Sequence, residues 1–419
     1  MNRNNIRIGY ACLNKDIGRS YKSCRLNKLT EDKWIDIIEY NLKTLDKMID
    51  YNIEKDICLL RISSDLIPFG GLDLGFEDWA IIFKDSLAHL KEKIKGKLRI
   101  SLHPGQYTLL NSPRSDVVRN SIYDLNYYNK LIKSLGGDSK NKIVIHIGGV
   151  YGDKDKSLNR FIQNIDMLSE DILEHLVIEN DDRSYSIDDL MNISDATGIP
   201  VIFDLHHHLV LPPKSDKTIT DWIEIAGKSW DEIDGIQIIH YSTQAENKRK
   251  GAHSNTIKLS EFLDSIKYLP DYPLDIMLEV KDKNRSAEKI TAYLNSDIGA
   301  LEDIWAKNKY NILSKSQNSY KEIRNLLKDK QNTDFEKIIS IIEDSLIMEE
   351  SKSNSINAAQ HIWGYFKNSA SEKEKSDFIN MINNYRNGDN TEKDLKKFLK
   401  KLLRKYPNEY LERSYYFEY

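Results

Sequence analysis

No apolar stretch in the 419-residue chain approaches the ~20 residues that cross a bilayer, which excludes a helical membrane span. An apolar signal core is also missing. The opening MNRNNIRIGY passes from polar residues straight into a strand-like segment, so a cytoplasmic location is the expectation. Cysteine is scarce: Cys12, Cys24 and Cys58 make neither a C-x-x-C pair nor an even framework, and they read as reduced thiols. Positive charge is not in excess either. Sixty-one Lys and Arg against 65 Asp and Glu leave a net charge of −4, so no global field advertises a nucleic-acid partner. Any such binding has to come from local patches. No fixed-period repeat runs along the chain.

What is present is a soluble composition, 40% hydrophobic and 30% charged, in a chain too long for one ordinary core. Short apolar, β-branched runs recur with helical segments between them: IRIGYA (6–11), DICLLRIS (56–63), KLRISLHP (97–104), KIVIHIGG (142–149), LVIEN (176–180), PVIFDLHH (200–207), GIQIIHYS (235–242) and LDIMLEVK (274–281). Near-continuous apolar strands are what a parallel sheet covered on both faces demands. Between the first two, Thr30 is a cap candidate, Glu31 and Asp32 suit a first turn, and Trp34, Ile38, Leu42, Leu45 and Ile49 form one stripe. Eight strands alternating with helices predict a (β/α)8 TIM barrel, with an open doubly wound sheet as the rival architecture. Beyond it the strand-like runs cease, apart from the aromatic SYYFEY at the end. The expected organisation is therefore a barrel over 1–310 and a smaller α-helical domain over 311–419. Lys, Asn and Ser crowd 314–334, which reads as a linker or mobile turn. In DLKKFLKKLLRKY the apolar stripe Leu395, Phe398, Leu399, Leu402, Leu403 and Tyr406 reads as core packing beneath a solvated basic face.

Barrel enzymes place their chemistry at the C-terminal rim of the strands. The strand ends here supply Tyr10, Arg61, Ser63, His103, His146, Glu179, Asp204, His207, His240 and Glu279, and His253 follows on the loop after the seventh. Taken singly, a histidine such as His146 is an ordinary hydrogen-bonded core residue. Eight imidazoles and carboxylates converging on one mouth are another matter, because Glu179, Asp204 and Glu279 would repel one another in a low-dielectric cup. Divalent cations resolve the repulsion. Mixed imidazole and carboxylate ligands suit Mn2+, Zn2+ or Fe2+ better than Ca2+ or Mg2+, and eight donors exceed the shell of one ion. Metal pairs clamp the attacking and departing oxygens of phosphoryl displacement, so phosphodiester hydrolysis is the leading chemistry. His206 and His208 read as solvent-exposed neighbours, and His89, His175 and His361 carry no partner pattern.

The motifs RIGYACLN (7–14), LLRISSDLIPF (59–69), SLHPGQY (101–107), IHIGG (145–149), IEND (178–181), FDLHHH (203–208), IHYS (239–242), KGAHS (250–254) and LEVKDKN (278–284) together resemble the UV damage endonucleases, a branch of the metal-dependent barrels that also holds endonuclease IV-type nucleases. The resemblance implies incision of damaged double-stranded DNA immediately 5′ to UV photoproducts, extending to abasic and other distorting lesions. It implies a metal set of His103, His146 and Glu179, a second of Glu179, Asp204, His240 and Glu279, and a third of His207 and His253. Two or three divalent ions follow, manganese first, with zinc or another transition metal as alternatives. Glu179, Asp204, His207, His240 and Glu279 are the implied catalytic residues. Gln106 and Tyr107 would enter the duplex at the lesion, with Tyr10, Asn14, Arg61 and Lys281 as further DNA-side candidates. Family members often carry a lysine two positions before the strand-seven histidine, where this chain has Ile238. The protein is expected to act as a monomer. HIWGYFKNSASEKEKSDFINMINNYRNG (361–388) and YPNEYLERSYYF (406–417) resemble a small helical domain of unassigned activity that recurs beside DNA-repair proteins. Two other readings stay open on the residues: a metal-dependent sugar isomerase or epimerase on the same barrel, and a non-catalytic DNA-binding protein.

Overall fold

The structure, a computed structural model, describes residues 5–418. All eight expected strands form: β1 Ile6–Ala11, β2 Leu59–Ile62, β3 Arg99–Leu102, β4 Lys142–Ile145, β5 Leu176–Glu179, β6 Val201–Asp204, β7 Ile238–Tyr241 and β8 Leu274–Leu278. Each pairs in parallel with its sequence neighbour, and β8 returns to β1, closing the barrel. Helices connect the strands. The longest, Glu31–Glu54, begins where Thr30 accepts a hydrogen bond from the Lys33 amide, and it buries Trp34, Ile38, Leu42, Leu45 and Ile49.

Alternation along each strand sends every second side chain into the barrel, and the interior sorts into three storeys. At the foot, Asp275 is fully buried and takes both Arg7, through Nε and Nη2 at 2.7 Å, and Arg99, through Nη1 at 2.7 Å. Beside them, buried Lys142 donates to Asp234 Oδ1 at 2.5 Å. The middle storey is apolar: Leu59, Val144, Val177, Ile202, Ile238 and Met277 pack together, with Trp230 against them. Burial of such side chains contributes about 2 kcal/mol each. Gly9 is part of this storey's geometry, since a Cβ there would lie 2.3 Å from Leu59 Cβ. The upper storey holds the polar strand ends.

Contacts group residues up to Ile257 with Phe262–Leu294 as the barrel unit, and Lys258–Glu261 with the chain from Asn295 as a second, helical unit. The expected division near 310 falls inside the helix Ile298–Lys315, whose contacts belong to the second unit. The segment 314–334 is not a linker. It forms the helix Gln317–Leu326, capped by Ser316, followed by a short 3-10 turn at Lys330–Asn332. Tyr320 and Ile323 supply the buried face that composition alone concealed. The SYYFEY end is not a strand either: Tyr415–Phe417 is a 3-10 turn with Tyr416 and Phe417 buried. The basic helix Glu392–Lys405 buries Leu395, Leu399, Leu402 and Leu403, and Lys396 and Lys405 are tied to Glu392 and Glu374. Core packing accounts for its stripe. Among the described residues, no helix is long and apolar enough to cross a membrane.

Candidate metal centre

Glu179 ends β5 at the centre of the upper storey, 1% exposed. Four imidazoles face it: His240 Nδ1 at 2.6 Å and His207 Nδ1 at 3.8 Å from Oε1, His103 Nε2 at 3.2 Å and His146 Nε2 at 3.6 Å from Oε2. In three of these histidines Nδ1 is engaged by a backbone carbonyl. Nδ1 of His103 lies 3.0 Å from the Pro104 carbonyl, that of His146 3.2 Å from the Glu179 carbonyl, and that of His207 2.9 Å from the Asn180 carbonyl. A carbonyl can only accept, so each of these Nδ1 atoms carries a proton, and Nε2 is the nitrogen each ring would present to a metal. This is the outer-shell arrangement that orients metal-binding histidines. His253 Nδ1 lies 2.9 Å from Ser242 Oγ, and its Nε2 is 3.7 Å from Glu279 Oε2.

Asp204 ends β6 and caps the short helix Leu205–Val210, accepting from the His207 amide at 2.6 Å. That turn swings His207 back over the rim. Asn180, next to Glu179 and wholly buried, locks Asp204 from the other side. Its Oδ1 accepts from the Asp204 amide at 2.8 Å, and its Nδ2 donates to the Asp204 carbonyl at 3.1 Å. Sequence reasoning gave Asn180 no role, although its place beside the strand-end Glu179 was the available signal. Arg61, buried at the end of β2, donates to Glu279 Oε1 at 2.5 Å and to His240 Nε2 at 2.8 Å. Its partner is thus a carboxylate.

The charges in this cup do not settle among themselves. Burial works to raise the Glu179 carboxyl, but His240, His146 and His103 outweigh it and hold it well below the usual carboxylate range. Asp204 goes the other way: burial, with Glu179 and Glu279 adding to it, pushes its carboxyl up to about 8. Burial opposes protonation of His207, yet Asp204, Glu179 and Glu279 raise it to about 9. Asp204 Oδ2 is buried without a hydrogen-bond partner among the described residues, a costly state for a carboxylate oxygen unless a cation meets it. Two three-donor groups, His103–His146–Glu179 and Glu179–Asp204–His240, each have donor atoms within 4.8 Å of one another and share Glu179. The residues fit divalent metal on three counts: the orphaned Oδ2, the presented Nε2 atoms and the mixed donor set.

Three expectations need correction. His206 and His208 are buried, 3% and 7% exposed, because the chain enters a helix at once and its side chains radiate instead of alternating. The His206 ring lies 5.5 Å from that of His253, and burial, then His253 and His207, lower it to about 4. The His208 ring packs on Phe203 and Trp222. Tyr10 points out of the barrel, fully buried, and donates to Asn52 Oδ1 at 2.7 Å. Asn14, 4% exposed, donates to the Tyr10 hydroxyl at 3.0 Å. Neither offers surface to a duplex; together they fix the loop after β1. Gln106 and Tyr107, by contrast, stand on a turn closed by the Thr108 amide to the Gly105 carbonyl, and Tyr107 is 80% exposed. Lys281 is exposed, its Nζ 3.4 Å from Asn255 Oδ1. Ile238, where the resemblance places a lysine, lies in the apolar storey beneath His240.

Fold and site together define a (β/α)8 barrel with a histidine–carboxylate centre suited to divalent metal at its C-terminal mouth. The chain belongs to the UV-endonuclease UvdE family, which matches residues 6–311. A second family, "Protein of unknown function (DUF1722)", matches residues 309–419. The chain is 38% identical over 345 residues to a UV DNA damage endonuclease of Clostridium perfringens, spanning 82% of this chain and 81% of that protein. A UV DNA damage endonuclease of Bacillus cereus is 31% identical over 258 residues, 61% of this chain and 80% of that one. Among solved structures, the crystal structure of SacUVDE superposes with a TM-score of 0.65 at 36% identity, covering 70% of this chain and 98% of that chain.

Proposed function

We propose that this protein is a DNA repair endonuclease that hydrolyses the phosphodiester bond immediately 5′ to UV photoproducts, and to abasic and other distorting lesions, with two or three divalent ions, manganese first. The observation that carries the reading is the pair of donor groups sharing Glu179, in a chain of the UvdE family. His103, His146 and Glu179 would hold one ion, Glu179, Asp204, His240 and Glu279 a second, and His207 and His253 a third. When bound, such ions supply Lewis acidity toward phosphate oxygens and make water acidic enough to ionise near neutral pH. The chain's own groups do the rest. Arg61 holds Glu279 ionised and in place, Asn180 fixes Asp204, and the backbone carbonyls at Pro104, Glu179 and Asn180 fix the imidazole tautomers. Gln106 and Tyr107 fill the stack vacated by the lesion, where a flat ring and an amide replace lost base contacts. Lys281 meets a phosphate. The protein works as a monomer in the cytoplasm. The sugar isomerase reading draws no support from the family match.

The test is incubation of the manganese-loaded protein with end-labelled, UV-irradiated duplex. A cut directly 5′ to the photoproduct is expected. Intact duplex after metal loading, or turnover of a free sugar instead, would overturn the reading.

A further inference from the structure

We propose that the helical unit carries its own binding face for single-stranded DNA, built on the tyrosines Tyr365 and Tyr410 with Lys309 and Arg324 as its cations. This goes beyond the chemistry of the barrel and does not depend on it. Tyr365 follows the helix Lys352–Trp363, and Tyr410 lies in the short helix Glu409–Glu412. Their rings are parallel to within 13° with centroids 6.1 Å apart, and they are 43% and 37% exposed. Side chains of this size usually close over a core; here a pair of flat rings is held open to solvent. Buried Tyr310 anchors the pair, its hydroxyl donating to that of Tyr365 at 3.1 Å and its ring edge-on to Tyr410.

Two cations stand among the tyrosines of this unit. Lys309 Nζ lies 5.1 Å from the Tyr310 centroid and 5.5 Å from that of Tyr410, and the Arg324 guanidinium lies 5.7 Å from the Tyr320 ring. Among the described residues neither cation has a carboxylate partner. Burial and then Arg324 depress the Lys309 ammonium, and no acid counters them. Nearby cations of this unit are paired with acids: Lys307 and Arg413 with Asp303, Lys330 with Glu302, Lys337 with Glu322. Exposed rings interleaved with acid-free cations are what binds single-stranded nucleic acid, since bases stack on the rings and phosphates take the charge. Duplex DNA hides its base faces, and an acidic peptide has no use for tandem flat rings.

The experiment uses the full-length chain with a fluorescent oligothymidine of about 20 nucleotides, read by anisotropy, and its bromodeoxyuridine counterpart for photo-crosslinking and peptide mapping. Crosslinks at Tyr365 or Tyr410 are expected. Tyr365→Leu and Tyr410→Leu should each weaken binding about tenfold, with Tyr365→Phe close to the parent. The surface pair Lys309→Gln with Arg324→Gln, which leaves the rings in place should a tyrosine variant fail to fold, should flatten the slope of log K against log salt by about 1.4. Crosslinks confined to the barrel, an unchanged salt slope in that double variant, or binding of polyglutamate in preference to oligothymidine would each overturn the proposal.

Discussion

Asn180 and Asp204 exchange two hydrogen bonds across the ends of β5 and β6, amide to Oδ1 at 2.8 Å and Nδ2 to carbonyl at 3.1 Å. Asp204 thereby reaches the cup with its backbone fixed and one carboxylate oxygen held by the His207 amide. Asn180→Ala should lower manganese affinity by roughly 10- to 100-fold, the usual cost of losing an outer-shell partner, with little change in melting temperature once loaded. A manganese titration followed by calorimetry reads this directly, and parent-like affinity would remove Asn180 from the site.

Glu179 is the donor common to both groups. Replacing it by Gln keeps the shape and removes the charge, so incision should fall by at least about 10²–10³-fold while the circular dichroism spectrum stays unchanged. Near-normal cutting by Glu179→Gln would take this residue out of the mechanism.

Tyr107 stands exposed on the loop after β3. Tyr107→Ala should leave metal content at the parent value and reduce the preference for irradiated over intact duplex, by about tenfold if one stacking contact is lost. Competition between the two duplexes measures it; an unaltered ratio would count against insertion of the ring.

Asp275 is buried against two arginines at the foot of the barrel. Asp275→Asn leaves those cations uncompensated and should cost about 3 kcal/mol in urea unfolding, while incision per folded molecule persists. A stability loss below about 0.5 kcal/mol would show that water or the carbonyls around Arg99 already satisfy the pair.

His175 gives a pH signature away from the ligands. Burial lowers its pKa below the ordinary 6.5, the Asn141 carbonyl opposing only in part. Below 6.5 the unfolded chain takes up the proton while the folded chain does not, so the unfolded state binds more protons and stability falls as the pH drops. The loss ends once the folded pKa is passed. His175→Gln should flatten this part of the profile between pH 7 and 5, and parallel curves for the two proteins would refute the assignment.

Every strand was legible in the sequence because a covered parallel sheet leaves near-continuous apolar runs, and the polar residue closing each run marked the mouth. Glu179 and Asp204 could be read that way. Asn180 was signalled only by its place beside Glu179, since its contribution is a pair of backbone contacts with β6. His206 and His208 misled because strand alternation was carried one step into what is a helix. Tyr10 misled for the opposite reason: strand alternation turns it outward, to Asn52 on the helix Glu31–Glu54. The 314–334 segment looked like a linker because its few apolar side chains are diluted by Lys, Asn and Ser, yet Tyr320 and Ile323 suffice to seat it.

The greasy floor formed by Leu59, Val144, Val177, Ile202, Ile238 and Met277 insulates the two ends of the barrel from each other. The arginine knot at the foot and the histidine–carboxylate cup at the mouth are therefore held by separate sets of contacts. A substitution at one end can accordingly be borne without rearranging the other.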